Sequence, residues 1–315
     1  MVINDYILFS GSSNSSLAKK IANRLGKKLG SVELKRFSDG EIWVKYRENI
    51  RGLDVFIIQS TNPPAENIME LLILIDAAKR ASARTINAVI PYFGYGRQDR
   101  KDQPRVSITA KLLANLITVA GTDRVITMDL HAAQIQGFFD IPFDHLYGSS
   151  VFKDQFHHFD DDLVIVSPDV GGIKIARAYA KLLNSGLVVI DKRRPRQNMV
   201  EIMNIIGEVQ DKDVLIVDDL IDTAGTFVGA VKALKEKGAN KIFGAITHPL
   251  LSGEAIDKIE KSDISKLFVT DTIELGNKLV SDKINVISAA DLFAEAIRRT
   301  FNDESISSLF NIDKG

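Results

Sequence analysis

The sequence has 315 residues and no cysteine, and its 40 Lys plus Arg against 41 Asp plus Glu give a formal net charge of −1. This excludes disulfides, thiolate nucleophiles and Cys-ligated zinc, and supplies no field for duplex nucleic acid or anionic lipid. With 45% hydrophobic and 26% charged residues, the chain reads as a soluble, cytoplasmic globular protein with two hydrophobic cores and no nucleic-acid or membrane partner.

In chain order, residues 6–9 (YILF) predict a short buried strand, followed by a Ser/Gly/Asn-rich loop and a helix with Leu17, Ile21, Leu25 and Leu29 on one face. The turn-like stretch Phe37-Ser38-Asp39-Gly40-Glu41 places a ring beside two acids. It suits a base-stacking contact as well as a hairpin with one packed ring. Residues 54–60 (DVFIIQS) predict a strand, 66–83 an apolar helix, and 88–90 a strand broken by Pro91, Gly94 and Gly96. Arg97 and Gln98 follow; the Arg fork suits phosphate, and a solvated turn pairing Arg with Asp fits equally well. A helix over 108–120 and a strand over 124–128 complete a first lobe, and a join is expected between Leu146 and Asp162.

The same grammar then repeats, with strands over 163–167, 187–191, 214–218, 242–247, 266–270 and 284–288 and helices after Gly172 and over 226–237. Short apolar runs alternating with amphipathic helices predict mainly parallel sheets with helices on both faces. The final helix, 290–299, is expected to return to the first lobe.

Three apolar strands end abruptly in polar residues. Val125-Ile126-Thr127-Met128 runs into Asp129-Leu130-His131; Val164-Ile165-Val166 into Ser167-Pro168-Asp169-Val170-Gly171-Gly172; and Val214-Leu215-Ile216-Val217 into Asp218-Asp219-Leu220-Ile221-Asp222-Thr223-Ala224-Gly225-Thr226. Carboxylates at such ends reach ribose hydroxyls or a cation, while small residues before a helix open backbone amides to a phosphate, with Gly225 expected at the tight turn. Each feature singly also fits a solvated strand end or a helix cap. His131 suits a phosphate or cation contact or a structural hydrogen bond. Asp191-Lys192-Arg193-Arg194-Pro195-Arg196 lacks interleaved aromatics, so it reads as a phosphate clamp or a charged loop. No GxxxxGK[ST] loop occurs.

The run 218–226 (DDLIDTAGT) resembles the ribose-5-phosphate loop of the phosphoribosyltransferase-like fold. Together with 129–139 (DLHAAQIQGFF), 167–172 (SPDVGG) and 191–194 (DKRR) with Asn198, in that order, it resembles the ribose-phosphate diphosphokinase, or phosphoribosyl-pyrophosphate synthetase, family from near Ser10 to Phe310.

The resemblance implies an α/β protein of two phosphoribosyltransferase-like domains, each a mainly parallel sheet flanked by helices. Residues 1–147, completed by 287–310, would form the first, and 148–286 the second. It implies transfer of a diphosphoryl group from ATP to ribose 5-phosphate with Mg2+. ATP would meet Phe37, Asp39, Glu41, Arg97, Gln98 and His131; ribose 5-phosphate would meet Asp218, Asp219, Asp222, Thr223, Ala224, Gly225 and Thr226. His131 and Asp169 would hold metal, and Lys192 and Arg194 would be catalytic. An adenine segment reaching across a subunit interface implies a homo-oligomer, dimers assembling into a hexamer. Arg47, Ser82, Arg84, Ser305, Ser307 and Ser308 resemble positions regulated by inorganic phosphate or ADP. Two positions depart from the usual pattern: Ile175, where many relatives carry Arg, and Val106, where Ala or Pro is common. A purine or pyrimidine phosphoribosyltransferase would share the 218–226 loop without the early adenine segment; a noncatalytic subunit would be expected to lack His131, Asp169, Lys192 or Arg194.

Overall fold

Why short apolar runs become strands here is visible in their neighbours: each is covered on both faces, so alternation is unnecessary and Val, Ile and Leu run on. The computed structural model describes residues 5–156, 162–193, 202–276 and 281–309. The chain divides into two units, one of 1–147, Thr272–Glu274 and 288–315, the other of 148–271 and 275–287.

In the first unit, β1 (Tyr6–Ser10), β4 (Asp54–Ile58), β5 (Thr85–Ile90), β6 (Arg124–Met128) and β7 (Phe143–Leu146) form a five-stranded sheet in that order. Every pairing in it is parallel, so all strand C-termini share one rim. A separate antiparallel hairpin, β2 (Val32–Arg36) with β3 (Ile42–Tyr46), stands outside this sheet. Helices α1 (Ser15–Arg24), α2 (Glu66–Arg80), α3 (Thr109–Ala120) and α8 (Ala290–Phe301) belong to this unit. Asn14 caps α1 by accepting the Leu17 amide, and α1 ends at Arg24; Leu29, expected on its inner face, lies beyond the helix and bridges Leu8 instead. The apolar face of α2 (Ile68, Leu71, Leu74, Ile75, Ala78) is buried within the unit's own core. Helix α8 packs on α1.

In the second unit, seven strands follow the order β10-β9-β8-β11-β12-β13-β14. These are β8 (Val164–Ser167), β9 (Gly186–Arg193), β10 (Ile202–Ile206), β11 (Val214–Ile221), β12 (Ile242–Pro249), β13 (Lys266–Thr270) and β14 (Ile284–Ile287). All neighbours are parallel except the edge strand β10, antiparallel to β9. Helices α4 (Ser149–Phe156), α5 (Ile173–Leu182), α6 (Gly225–Glu236) and α7 (Ala255–Glu260) flank the sheet. Along β11 the side chains alternate between two cores: Val214 and Ile216 pack with Phe227 and Val231 of α6, while Leu215 and Val217 pack with Ala176 and Tyr179 of α5. Among the described residues, no helix is long and apolar enough to cross a membrane.

Candidate active site

The second unit carries the acidic cluster. Strand β11 continues through the two aspartates to Ile221 rather than stopping before them. Its pairing with β8 ends at Ile216, whereas its pairing with β12 runs on to Ile221 opposite Pro249. Asp218 and Asp219 therefore sit on ordered strand backbone where one neighbour has already ended. Asp218 accepts the backbone amide of Asp219 at 2.9 Å. Its carboxyl is nevertheless pushed well above the usual carboxylate range, first by burial and then by the charges of Asp219 and Asp169.

Asp169 follows β8. Its Oδ1 accepts the Gly172 amide at 2.9 Å, and its carbonyl accepts the Ser167 hydroxyl at 2.7 Å. A side chain on Gly172 would stand 3.0 Å from the Ser167 hydroxyl, so the turn has little room there. Ile175, the departure one turn into α5, packs against the α5-side core. Nothing in the structure explains Val106.

Past β11 the loop turns at Ala224, in the left-handed region (φ 59°), which directly precedes α6 without a side-chain cap. Gly225, expected to provide the turn, has ordinary helical backbone, and an added β-carbon would meet nothing within 4 Å. The small residue is thus not required by the fold. Thr223, Gly225 and Thr226 are exposed while Ala224 is buried, and no side chain caps the first amides of α6. Lys192 has its backbone in β9 opposite Met203, beyond the last β8 pairing at Val189. Its side chain, and all of Arg194 and Asn198, lie outside the described residues.

In the first unit two loops on the rim meet. Gly96, after β5, approaches His131, after β6, so closely that a β-carbon on Gly96 would stand 3.7 Å from that of His131. Arg97 is exposed beside them. Gln98 accepts the Thr109 hydroxyl at 2.6 Å, and Asp99 accepts the Gln134 side-chain amide at 2.9 Å. The root of the first loop is clamped: Gly94 donates its amide to the Thr61 hydroxyl at 2.7 Å.

Phe37, Asp39 and Glu41 occupy the tip of the β2–β3 hairpin. Phe37 and Glu41 are joined through the Phe37 amide and Glu41 carbonyl at 2.9 Å, and Asp39 accepts the Glu41 amide at 3.0 Å. The Phe37 ring is 55% exposed, so it is not the packed hairpin ring.

The positions expected to be regulatory occupy three places in this unit. Arg47 pairs with Glu33. Arg84 forks onto Asp54 at 2.8 and 2.5 Å, two residues after Ser82, which adopts a left-handed backbone (φ 61°). Ser305, Ser307 and Ser308 gather beyond α8, with Ser305 and Ser307 hydroxyls 2.8 Å apart and Ser308 bonded to Arg299.

One buried network had no signal in the sequence. Glu70, 5% exposed, accepts the Ser12 amide and hydroxyl at 2.6 and 2.8 Å and the Gln59 amide at 2.9 Å. Gln59 in turn accepts the Ser13 amide and hydroxyl at 3.1 and 2.7 Å. It locks the loop after β1 to the end of β4 across 46 residues and to α2 across 58. Among the described residues, no three or more His, Asp or Glu side chains gather to enclose a metal.

Two parallel-sheet units, with carboxylates at strand ends and a small-residue loop opening a helix, define an α/β protein of the phosphoribosyltransferase-like class. Residues 6–121 match the N-terminal domain of ribose phosphate pyrophosphokinase, and residues 194–311 match the phosphoribosyl synthetase-associated domain. The ribose-phosphate pyrophosphokinase of Chlorobaculum tepidum is 59% identical over 96% of this chain and 94% of its own. That of Campylobacter jejuni is 55% identical over 97% and 99%. The crystal structure of phosphoribosylpyrophosphate synthetase from Mycobacterium smegmatis superposes with a TM-score of 0.90 at 37% identity, covering 95% of this chain and 99% of that one. The chain belongs to the ribose-phosphate pyrophosphokinase family.

Proposed function

We infer that the protein transfers the β,γ-diphosphoryl group of ATP to the 1-hydroxyl of ribose 5-phosphate, giving 5-phospho-α-D-ribose 1-diphosphate and AMP. The observation that carries this is the near full-length agreement with relatives of that name, 59% identical over 96% of the chain. The anomeric oxygen attacks the β-phosphorus, the bond from that phosphorus to the α,β-bridging oxygen breaks, AMP leaves with that oxygen, and the hydroxyl proton is released. Such a reaction asks the protein chiefly to position and to neutralise charge.

Asp218 and Asp219 accept the ribose hydroxyls, and the 5-phosphate sits over Asp222, Thr223, Ala224, Gly225 and Thr226. The uncapped start of α6 and the exposed Thr223 and Thr226 beside it support this. On the nucleotide side, Arg97, Gln98 and His131 meet the phosphates of ATP; the approach of the Gly96 and His131 loops supports grouping them. Phe37, Asp39 and Glu41 receive adenine from a neighbouring copy, since an exposed ring on a hairpin tip is suited to a base presented from outside the unit. This makes the protein a homo-oligomer, dimers assembling into a hexamer, with inorganic phosphate and ADP acting through Arg47, Ser82, Arg84, Ser305, Ser307 and Ser308. Lys192 and Arg194 neutralise the diphosphate as it transfers.

A divalent cation, Mg2+ in this reading, fits the donor set. The carboxylates around Asp218 repel one another when ionised, and Mg2+ uses few protein oxygens, completing its shell from substrate and water. Asp169, whose charge reaches Asp218, would hold it, and when bound it withdraws charge from the phosphate oxygens.

The test mixes purified protein with ATP, Mg2+ and ribose 5-phosphate and follows both nucleotide and sugar products. AMP and phosphoribosyl diphosphate should appear in equal amounts; ADP with a sugar bisphosphate would indicate monophosphoryl transfer and overturn the reading.

A further inference from the structure

The loop that carries His131 leaves β6 through a backbone that does not hold itself. Asp129, a non-glycine residue, has φ 29°, in a region disfavoured for side chains with a β-carbon. Two successive amides then point toward β7. The Asp129 amide donates to the Leu146 carbonyl at 3.0 Å. The Leu130 amide donates to Nε2 of His145, also at 3.0 Å. The first is ordinary sheet bonding carried one residue past the strand; the second replaces a backbone carbonyl with an imidazole.

Two features keep that imidazole in place. His145 is paired within β7 opposite Thr127. Its ring packs at 4.7 Å between centroids against Tyr147. Because Nε2 accepts, it carries no proton in this arrangement. Leu130 is itself buried, its side chain in the first unit's core. Its amide would otherwise stand in a poorly hydrated place without an acceptor. The next residue is His131, beside Gly96 and Arg97.

We propose that His145 is a positioning residue for the nucleotide step, its Nε2 fixing the Leu130 amide and hence the direction in which His131 is presented. The proposal rests on the reading of His131 as a nucleotide contact. His145 touches no substrate; it acts through the loop. A glutamine at this position has its side-chain oxygen near the reach of Nε2 and can keep the acceptor, whereas leucine fills similar space and cannot.

The experiment compares His145→Leu, His145→Gln and His131→Ala in steady-state kinetics of AMP formation, alongside hydrogen exchange of the Leu130 amide. His145→Phe, which keeps a ring against Tyr147, replaces the leucine variant if that does not fold. The expected result is a loss of about tenfold in kcat/KM for ATP in His145→Leu. The KM for ribose 5-phosphate stays within about twofold, Leu130 loses exchange protection, and His145→Gln regains most of both. Full activity in His145→Leu alongside an inactive His131→Ala overturns the proposal. Equal damage from Leu and Gln also overturns it, because packing and not the acceptor would then be at work. Undiminished activity in His131→Ala removes the reading of His131 first, and the proposal with it.

Discussion

The side-chain amide of Gln134 donates to the carboxylate of Asp99 at 2.9 Å, joining the loop after β5 to the loop after β6. The bond is exposed, so its worth to stability is small, but it spans the two segments assigned to ATP. Gln134→Leu and Asp99→Ala should each raise the KM for ATP by about two- to fivefold, the range of an exposed hydrogen bond, and leave that for ribose 5-phosphate unchanged. A double-mutant cycle should show the two effects overlapping; strict additivity would mean that the bond does not order the loops.

Asp218 gives a prediction in which stability and activity move in opposite directions. Its folded carboxyl titrates above its unfolded one because of burial, Asp219 and Asp169. Below about pH 4 both states are protonated and the group contributes nothing. As pH rises, the unfolded state ionises first, and stability falls until the folded group also ionises. Asp218→Asn should therefore raise the thermal midpoint of the substrate-free protein at neutral pH, lose that gain below about pH 4, and abolish phosphoribosyl diphosphate synthesis. Calorimetry across pH checks the first part and the product assay the second.

Two glycines should respond differently to alanine. At Gly94 a β-carbon would lie 2.1 Å from the Thr61 carbonyl oxygen, so Gly94→Ala should destabilise by about 2 kcal/mol or more through backbone displacement. At Gly225 nothing lies within 4 Å and the backbone is already helical. Gly225→Ala should keep or slightly raise the thermal midpoint while increasing the KM for ribose 5-phosphate. An unchanged KM would mean that the phosphate does not lie over this residue.

Glu295 lies between Arg298 and Arg299 at 2.8 and 2.7 Å, and their hydrogen bonds and charges hold its carboxyl down at about 2. A depressed carboxylate contributes stability above its unfolded value and loses it as pH falls through the folded one. The difference in midpoint between the wild type and Glu295→Gln should be constant above about pH 5.5 and shrink from about pH 4.5 down to about pH 2. The effect should be small, because the network is at the surface.

Much of this was legible in the residues. β13 falls on the expected run, and the apolar run of β11 is the buried strand expected, because a strand covered on both faces writes itself as a continuous apolar segment. From the sequence the two aspartates look like a strand end because it shows polarity and not pairing: β12 supports them after β8 has stopped. The small residues point to a tight turn at Gly225, whereas the left-handed backbone falls one residue earlier, at Ala224, and Gly225 already belongs to α6. The hairpin β2–β3 is one of the two readings that the turn at 37–41 allows, whereas the strand β7, with Asp144 and His145 in its middle, carries too little apolar periodicity to announce itself. The Gln59–Glu70 network depends on partners far apart in sequence, which no local pattern reports.

The central claim is that a diphosphoryl unit moves intact from ATP to the anomeric oxygen. Ribose 5-phosphate carrying oxygen-18 at the anomeric hydroxyl, incubated with ATP, Mg2+ and the protein under conditions that outrun exchange with water, tests it directly. Phosphorus NMR should find the heavy oxygen bridging the sugar carbon and the adjacent phosphorus of the product, with none in AMP. Label absent from that bridge, or ADP as the nucleotide released, would contradict the account.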